Sequence, residues 1–204
     1  MAERSCPNCG AALPDLLAHA RMVDCAFCGS SVVLEDAALR VAGQAGVMDE
    51  APELIGLGHT VILGDAGAFT ASGHVRYDYG RGHWDEYHGA LSDGTLAWVS
   101  VDEGDVAIQR PLPRTAWPAL PGVPRLGRAV TIGDTAFTCS EVDDAKATAF
   151  RGQLPEAIVL GETHLYANFA GPRGAILSAE FWGDGERAWF DGIWIDPYDV
   201  ERLT

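Results

Sequence analysis

This sequence predicts a mainly β protein that opens with a four-cysteine zinc ribbon and continues as a duplicated antiparallel β-barrel or roll domain in two tandem copies. Three observations carry that reading. Two Cys-x-x-Cys pairs stand near the start, short β-prone runs separated by Gly-Asp, Asp-Gly and Gly-Arg-Gly turns fill the remainder, and one set of those landmarks occurs twice. A chain of 204 residues with 48 % hydrophobic residues has enough apolar material for one large domain or two small ones, each with a packed core.

The ribbon comes first, over residues 1–35. Cys6-Pro7-Asn8-Cys9-Gly10 and Cys25-Ala26-Phe27-Cys28-Gly29 enclose fifteen intervening residues, which is ribbon spacing. Each knuckle brings two thiolates to one side of a tight turn, and four sulfurs close a tetrahedron around one structural Zn²⁺ per chain. A glycine after the second cysteine of each pair supplies the positive φ that such a turn needs. Four thiolates leave no position for a metal-bound water, so the expected metal is not catalytic. The ribbon carries Arg4 and Arg21 against Glu3, Asp15, Asp24 and Glu35, a net −2 that suits protein contact better than DNA reading. The fifth cysteine, Cys139, lies in the β-prone stretch Phe137–Ser140 and reads as a small buried hydrophobe.

Residues 36–54 are Ala-, Gly- and acid-rich, with Gly43, Gly46 and Pro52 as breakers, and read as a flexible linker with a short helix over 35–42. The first β repeat follows over 55–110, with strands expected at Val61–Leu63, Phe69–Tyr79, Trp84–Leu91, Leu96–Val101 and Val106–Gln109. Ser92-Asp93-Gly94-Thr95 is a hairpin signal. Residues 111–125, with five prolines, read as a stiff extended connector. The second repeat, 126–204, is inferred from identities. Leu57-Gly58, Val61 and Gly64-Asp65 recur as Leu126-Gly127, Val130 and Gly133-Asp134, then Ala68-Phe69-Thr70 as Ala136-Phe137-Thr138. Asp93-Gly94 with Ala97-Trp98 recurs as Asp184-Gly185 with Ala188-Trp189. Each copy is expected to curl into its own small barrel, the two packed side by side.

Charge narrows the partners. Fourteen Lys and Arg against 29 Asp and Glu give −15, which repels nucleic-acid backbones and anionic lipid. No apolar run approaches a membrane span, and Met1–Ala12 holds a Cys pair where a leader's apolar region would lie, so a cytoplasmic location is expected. Phosphate-loop and nucleophile-elbow motifs are absent from the sequence.

His83-Trp84-Asp85-Glu86-Tyr87-His88 is the densest run of functional side chains. On a strand, His83, Asp85 and Tyr87 face one way and Trp84, Glu86 and His88 the other. Trp84, Glu86 and His88 are therefore the candidate ligand or partner surface, with Trp84 also suited to the core and Glu86 to backbone or Arg partners. Asp102-Glu103-Gly104-Asp105 and Glu141-x-Asp143-Asp144 lack EF-hand spacing and read as acidic turns. Of Trp182, Trp189 and Trp194, at least two are expected in the core.

Gly73-His74-Val75-Arg76-Tyr77, Trp84-Asp85-Glu86-Tyr87 and Asp93-Gly94-x-x-Ala97-Trp98-Val99 resemble the bacterial family called domain of unknown function 4178. Gly152, Leu177–Trp182 and Phe190–Ile195 continue the likeness, which spans roughly 55–200 with the ribbon as an N-terminal addition. The resemblance implies a setting in envelope maintenance, because genes of such members tend to neighbour a small membrane protein, an aminopropyltransferase-like enzyme and phage-shock-type proteins. It lends no catalytic residues. The expected function is that of a non-catalytic binding or adaptor protein with a protein partner and no nucleic acid. The alternatives are an enzyme accessory or weak hydrolase using the His83–His88 cluster, and a sensor of a polyamine-like cation attracted by the net charge. A concave pocket gathering Glu86, His88 and acidic groups from both copies would mark a ligand site.

Overall fold

The computed structural model describes residues 4–35, 38–48, 53–183 and 185–203. Among these described residues, fourteen strands, paired antiparallel throughout, carry the fold: β1 (Met22–Asp24), β2 (Ser30–Glu35), β3 (Ala38–Gln44), β4 (Thr60–Leu63), β5 (Ala68–Asp78), β6 (His83–Leu91), β7 (Leu96–Asp102), β8 (Asp105–Pro111), β9 (Ala129–Ile132), β10 (Thr135–Leu154), β11 (Thr163–Ala170), β12 (Ala175–Phe181), β13 (Arg187–Ile195) and β14 (Val200–Arg202). The five strands expected between Val61 and Gln109 form as β4 to β8, each within a few residues of its expected bounds. The β6–β7 turn at Asp93-Gly94 is closed by the Asp93 carboxylate, which accepts from the Thr95 N–H at 2.8 Å.

Separate small barrels do not form. Strands β5, β6, β7, β8, β13, β12, β11 and β10 pair in that order, and β10 returns to β5, so the pairings make one closed circuit. The two joints between the halves, Ile193↔Ile108 and Phe150↔Val75, satisfy edges that two independent copies would each have left open. The expected tandem equivalence also breaks down along the chain. Val61 and Val130 do occupy matching places in β4 and β9, the short strands that pair with β5 and β10. Trp98, however, lies on the fourth strand counted from β4, whereas Trp189 lies on the fifth counted from β9. Asp184 falls outside the described residues. The two tryptophans therefore do not share a position.

The circuit packs apolar side chains on its outside as well as its inside. Phe69, Tyr87, Val99 and Ile108 form one outer core beneath β4 and β14. Phe137, Phe169, Leu177 and Trp189 form another beneath β9 and the Pro-rich segment, which contributes Leu112, Trp117 and Leu120. Cys139 is buried in this second core, as expected, with burial raising its thiol pKa.

Within the segment read as a linker, residues 38–44 form strand β3, paired with β2, in place of the expected helix; residues 36, 37 and 49–52 lie outside the described residues. Ribbon and circuit are joined by main-chain bonds. β1 pairs with the far end of β10 through Met22↔Leu154 and Val23↔Gln153. The Asp24 carboxylate accepts from the Gly152 N–H at 2.8 Å, and the Arg151 guanidinium donates to the carbonyls of Ala45 and Gly46 at 3.1 and 3.0 Å. The closing register brings Gly152 opposite Gly73; a Cβ on either would strike main-chain oxygen, at Ser72 and Gln153 respectively. Met22, Val33 and Ala45 thereby enter the core that also holds Val75, Trp84, Trp98 and Phe150. Among the described residues, no helix is long and apolar enough to cross a membrane.

Candidate functional site

Two places concentrate chemistry. The first is the ribbon. Cys6, Cys9, Cys25 and Cys28 place their Sγ atoms within 4.8 Å of one another, and all four are free of disulfides. The Cys6–Cys28 and Cys9–Cys25 sulfurs are 3.8 Å apart. Four sulfurs about 2.3 Å from a common centre are separated by about 3.8 Å, so the spacing fits a tetrahedral thiolate site. Local hydrogen bonds build it. The Gly10 N–H donates to the Cys6 carbonyl at 2.9 Å and the Gly29 N–H to the Cys25 carbonyl at 2.8 Å, with both glycines at positive φ (77° and 68°). Asn8 Nδ2 donates to Ser30 Oγ at 2.9 Å, and that hydroxyl lies 3.2 Å from Cys28 Sγ. The Ser30 hydroxyl and backbone amide pull the Cys28 thiol down to about 6, whereas, against the Ala11 backbone hydrogen bond, burial and the neighbouring sulfurs push Cys9 up to about 12. Among the described residues, these four cysteines are the group that would hold a metal.

The second place is the inside of the circuit. A cavity of about 90 Å³ lies there, lined from β6, β7, β8, β10, β11, β12 and β13. Its carboxylates are Glu86, Asp102, Asp105, Glu141 and Glu180; its aromatic walls are Trp84, Trp98, Tyr166, Phe190 and Trp194. Among the described residues, no lysine, arginine or histidine lines it. Polar side chains run around its wall as a hydrogen-bonded chain. Trp84 Nε1–H donates to Glu86 Oε1 at 3.1 Å, and Ser100 Oγ lies 3.3 Å from the same oxygen. Gln109 Nε2 donates to Ser178 Oγ at 2.6 Å, which donates to Asn168 Oδ1 at 2.7 Å. Asn168 Nδ2 and Tyr166 O–H then converge on the Glu141 carboxylate at 2.9 and 2.7 Å.

This wall positions carboxyls that, among the described residues, no basic side chain of the lining pairs. Burial, opposed by the Trp84 and Ser100 hydrogen bonds, pushes Glu86 up to about 7. Glu180, across the circuit on β12, is raised well above the ordinary carboxyl range by burial and by the nearby charges of Glu86 and Glu156. Burial, with Glu141 and Glu103 close by, also raises Asp102 at the mouth. Buried carboxylates without a cationic partner are costly, and proteins rarely carry them without a use.

The structure sorts the sequence candidates as the strand alternation anticipates. Trp84 and Glu86 face the cavity, and Trp84 is also part of the core. Among the described residues, Glu86 takes side-chain partners, Trp84 and Ser100, rather than the backbone or Arg groups expected. His88 faces the same side but does not line the cavity. It packs edge-on against Trp98 at 4.9 Å and against the ribbon's His19 at 5.0 Å, and desolvation lowers it to about 4. Asp85 points the other way, where His74 Nε2 approaches at 2.8 Å and Arg76 binds it through two nitrogens. That cluster is a satisfied structural ion pair. Asp102 and Asp105 flank the β7–β8 turn as expected, but Glu141, Asp143 and Asp144 belong to β10 rather than to a turn. Trp189 is core, Trp182 is partly buried, and Trp194 stands 43 % exposed at the cavity mouth. Glu180, Gln109, Asn168 and Tyr166 escaped the sequence reading. The one available signal was polar residues interrupting strands that are apolar on both faces, as in Ile176-Leu177-Ser178-Ala179-Glu180-Phe181.

Residues 57–197 match the family described as Domain of unknown function (DUF4178), and the chain belongs to that family. The ribbon lies before the matched segment. No curated protein and no solved structure matches the chain.

Proposed function

We propose that this DUF4178 protein is a non-catalytic binding protein whose strand circuit works as a barrel that takes a small organic cation inside. The single observation behind this reading is the cavity lining: five carboxylates and five aromatic side chains, with no basic residue among them. Aromatic faces attract cations through their quadrupoles, and carboxylates in a low-dielectric enclosure add Coulombic attraction that exposed pairs lack. A cation entering the cavity replaces the proton that Glu86 and Glu180 otherwise need. The strongly negative net charge raises the local cation concentration and steers it inward.

In this reading the ribbon holds zinc, since four thiolates at tetrahedral spacing favour a soft, redox-inert ion in a closed structural site. Its Phe27, 81 % exposed between the ligands of the second knuckle, suits recruitment of a protein partner. Isothermal titration with tetramethylammonium chloride tests the cavity. Trp98→Leu and Asp105→Asn are expected to weaken binding at least tenfold, and the uncharged analogue tert-butanol is expected not to bind. Equal binding of the neutral compound contradicts the reading. An enzymatic alternative draws on Glu86 and Glu180, two carboxyls that line the same cavity and interact electrostatically, a pair suited to acid–base work. Turnover abolished by Glu86→Gln in a variant that remains folded would establish it.

A further inference from the structure

We propose a second cation site, separate from the cavity, in the cleft beneath the 155–162 loop, where Glu156, Glu180 and His164 Nε2 receive a primary alkylammonium group. The cleft encloses about 250 Å³, and its wall includes these three residues with Tyr77, Ile158 and Trp182. It meets the first cavity only at Glu180, because neither Glu156 nor His164 lines that cavity.

His164 carries the argument. It is 5 % exposed, yet its Nε2 has no hydrogen-bond partner among the described residues. A buried ring nitrogen left unpaired forfeits its hydration without a replacement, so its persistence calls for an occupant. Nε2 lies 3.9 Å from Glu180 Oε1, too far for a direct hydrogen bond. That span suits two acceptors sharing one donor: a nitrogen about 2.9 Å from each fits between them, and an ammonium has a third N–H for Glu156 on the rim. Desolvation lowers the His164 pKa, which favours the neutral ring and leaves Nε2 free to accept. The ring is held in place by Trp182, stacked at 5.5 Å, and by Tyr77 edge-on at 5.6 Å.

A metal ion fits less well. Among the described residues, only the four cysteines bring three or more ligand atoms within 4.8 Å, so Glu156, Glu180 and His164 do not form a ready metal cage. Of the other two acidic residues on the wall, Glu186 is engaged by Arg114 at 2.9 Å and Glu162, like Glu156, is exposed at the rim, so Glu180 is the buried carboxyl beside Nε2. An alkyl tail then lies along Ile158 and Trp182.

The experiment titrates the full-length, metal-loaded chain with n-propylammonium chloride at constant ionic strength, by calorimetry and by ¹⁵N observation of the His164 ring. The proposal expects the Nε2 resonance to move on binding. It expects Glu156→Gln and His164→Leu each to weaken binding tenfold or more, and Trp98→Leu to leave it unchanged. Glu156 lies on an exposed rim, so its variant folds even where His164→Leu does not. Tetramethylammonium, which has no N–H to donate, is expected not to shift Nε2. Unchanged propylammonium affinity in Glu156→Gln, a silent His164 resonance, or displacement of the amine by Mn²⁺ overturns the proposal. Loss of tetramethylammonium binding in Trp98→Leu alongside a silent His164 leaves the cavity reading standing and removes this one.

Discussion

Replacing Glu86 by glutamine is expected to make the protein more stable at alkaline pH. In the folded chain this carboxyl is pushed from 4.5 up to about 7, first by burial. The protonated side chain is therefore favoured in the fold. Its contribution is fully present below pH 4.5 and is lost as pH rises through 7. Each tenfold change in proton affinity is worth about 1.36 kcal/mol, so ionised Glu86 costs the fold about 3 kcal/mol at about pH 8. Glutamine never ionises and keeps an oxygen for the Trp84 Nε1–H. The substitution also removes a charge that raises the Glu180 carboxyl. A chain of this length gains roughly 2–4 °C per kcal/mol, so the variant should melt about 6–12 °C higher at pH 8. At pH 4.5 the difference should nearly vanish, because both side chains are then neutral. Differential scanning calorimetry across pH 4.5–8 reads this directly. A destabilised Glu86→Gln at pH 8, or a gain independent of pH, would refute the argument that burial without a cation governs this group.

Other perturbations test neighbouring parts of the account. His88, buried against Trp98 and His19, is lowered to about 4, so its stabilising contribution is present above pH 6.5 and is lost as pH falls through 4. His88→Phe should reduce the acid sensitivity of the melting temperature between pH 6.5 and 4; an identical profile would count against it. Met22→Ala removes a side chain that is 2 % exposed at the ribbon–circuit junction and should cost about 2–5 kcal/mol in urea denaturation. Elemental analysis should find one zinc per chain. Because β1 is hydrogen-bonded to β10, Cys25→Ser or chelation should lower a single cooperative transition rather than melt the ribbon alone. Two well-separated transitions would show the ribbon and circuit to be independent.

Much of this was legible locally, because local chemistry fixes it. The knuckle glycines, the Asp93-Gly94 hairpin and the alternation placing Trp84 and Glu86 on one face depend on neighbours in sequence. What was not legible is non-local. Nothing within β8 indicates that Ile108 pairs with Ile193, nor within β5 that Val75 pairs with Phe150, so the closure of both halves into one circuit was missed. The composition of 36–54 suggested freedom, yet Arg151, more than a hundred residues away, anchors Ala45 and Gly46. Glu180 and His164 follow the same pattern. Each looks like an ordinary strand residue until the fold places it in a buried acidic space.

The most direct test of the interior cation site is a ¹³C titration of the Glu86 side-chain carboxyl, with and without saturating tetramethylammonium. The account predicts a midpoint near 7 in the free protein and a fall of at least one pH unit when the cation is bound, since a positive charge beside the carboxylate favours its ionised form. A midpoint unchanged by the cation would contradict it.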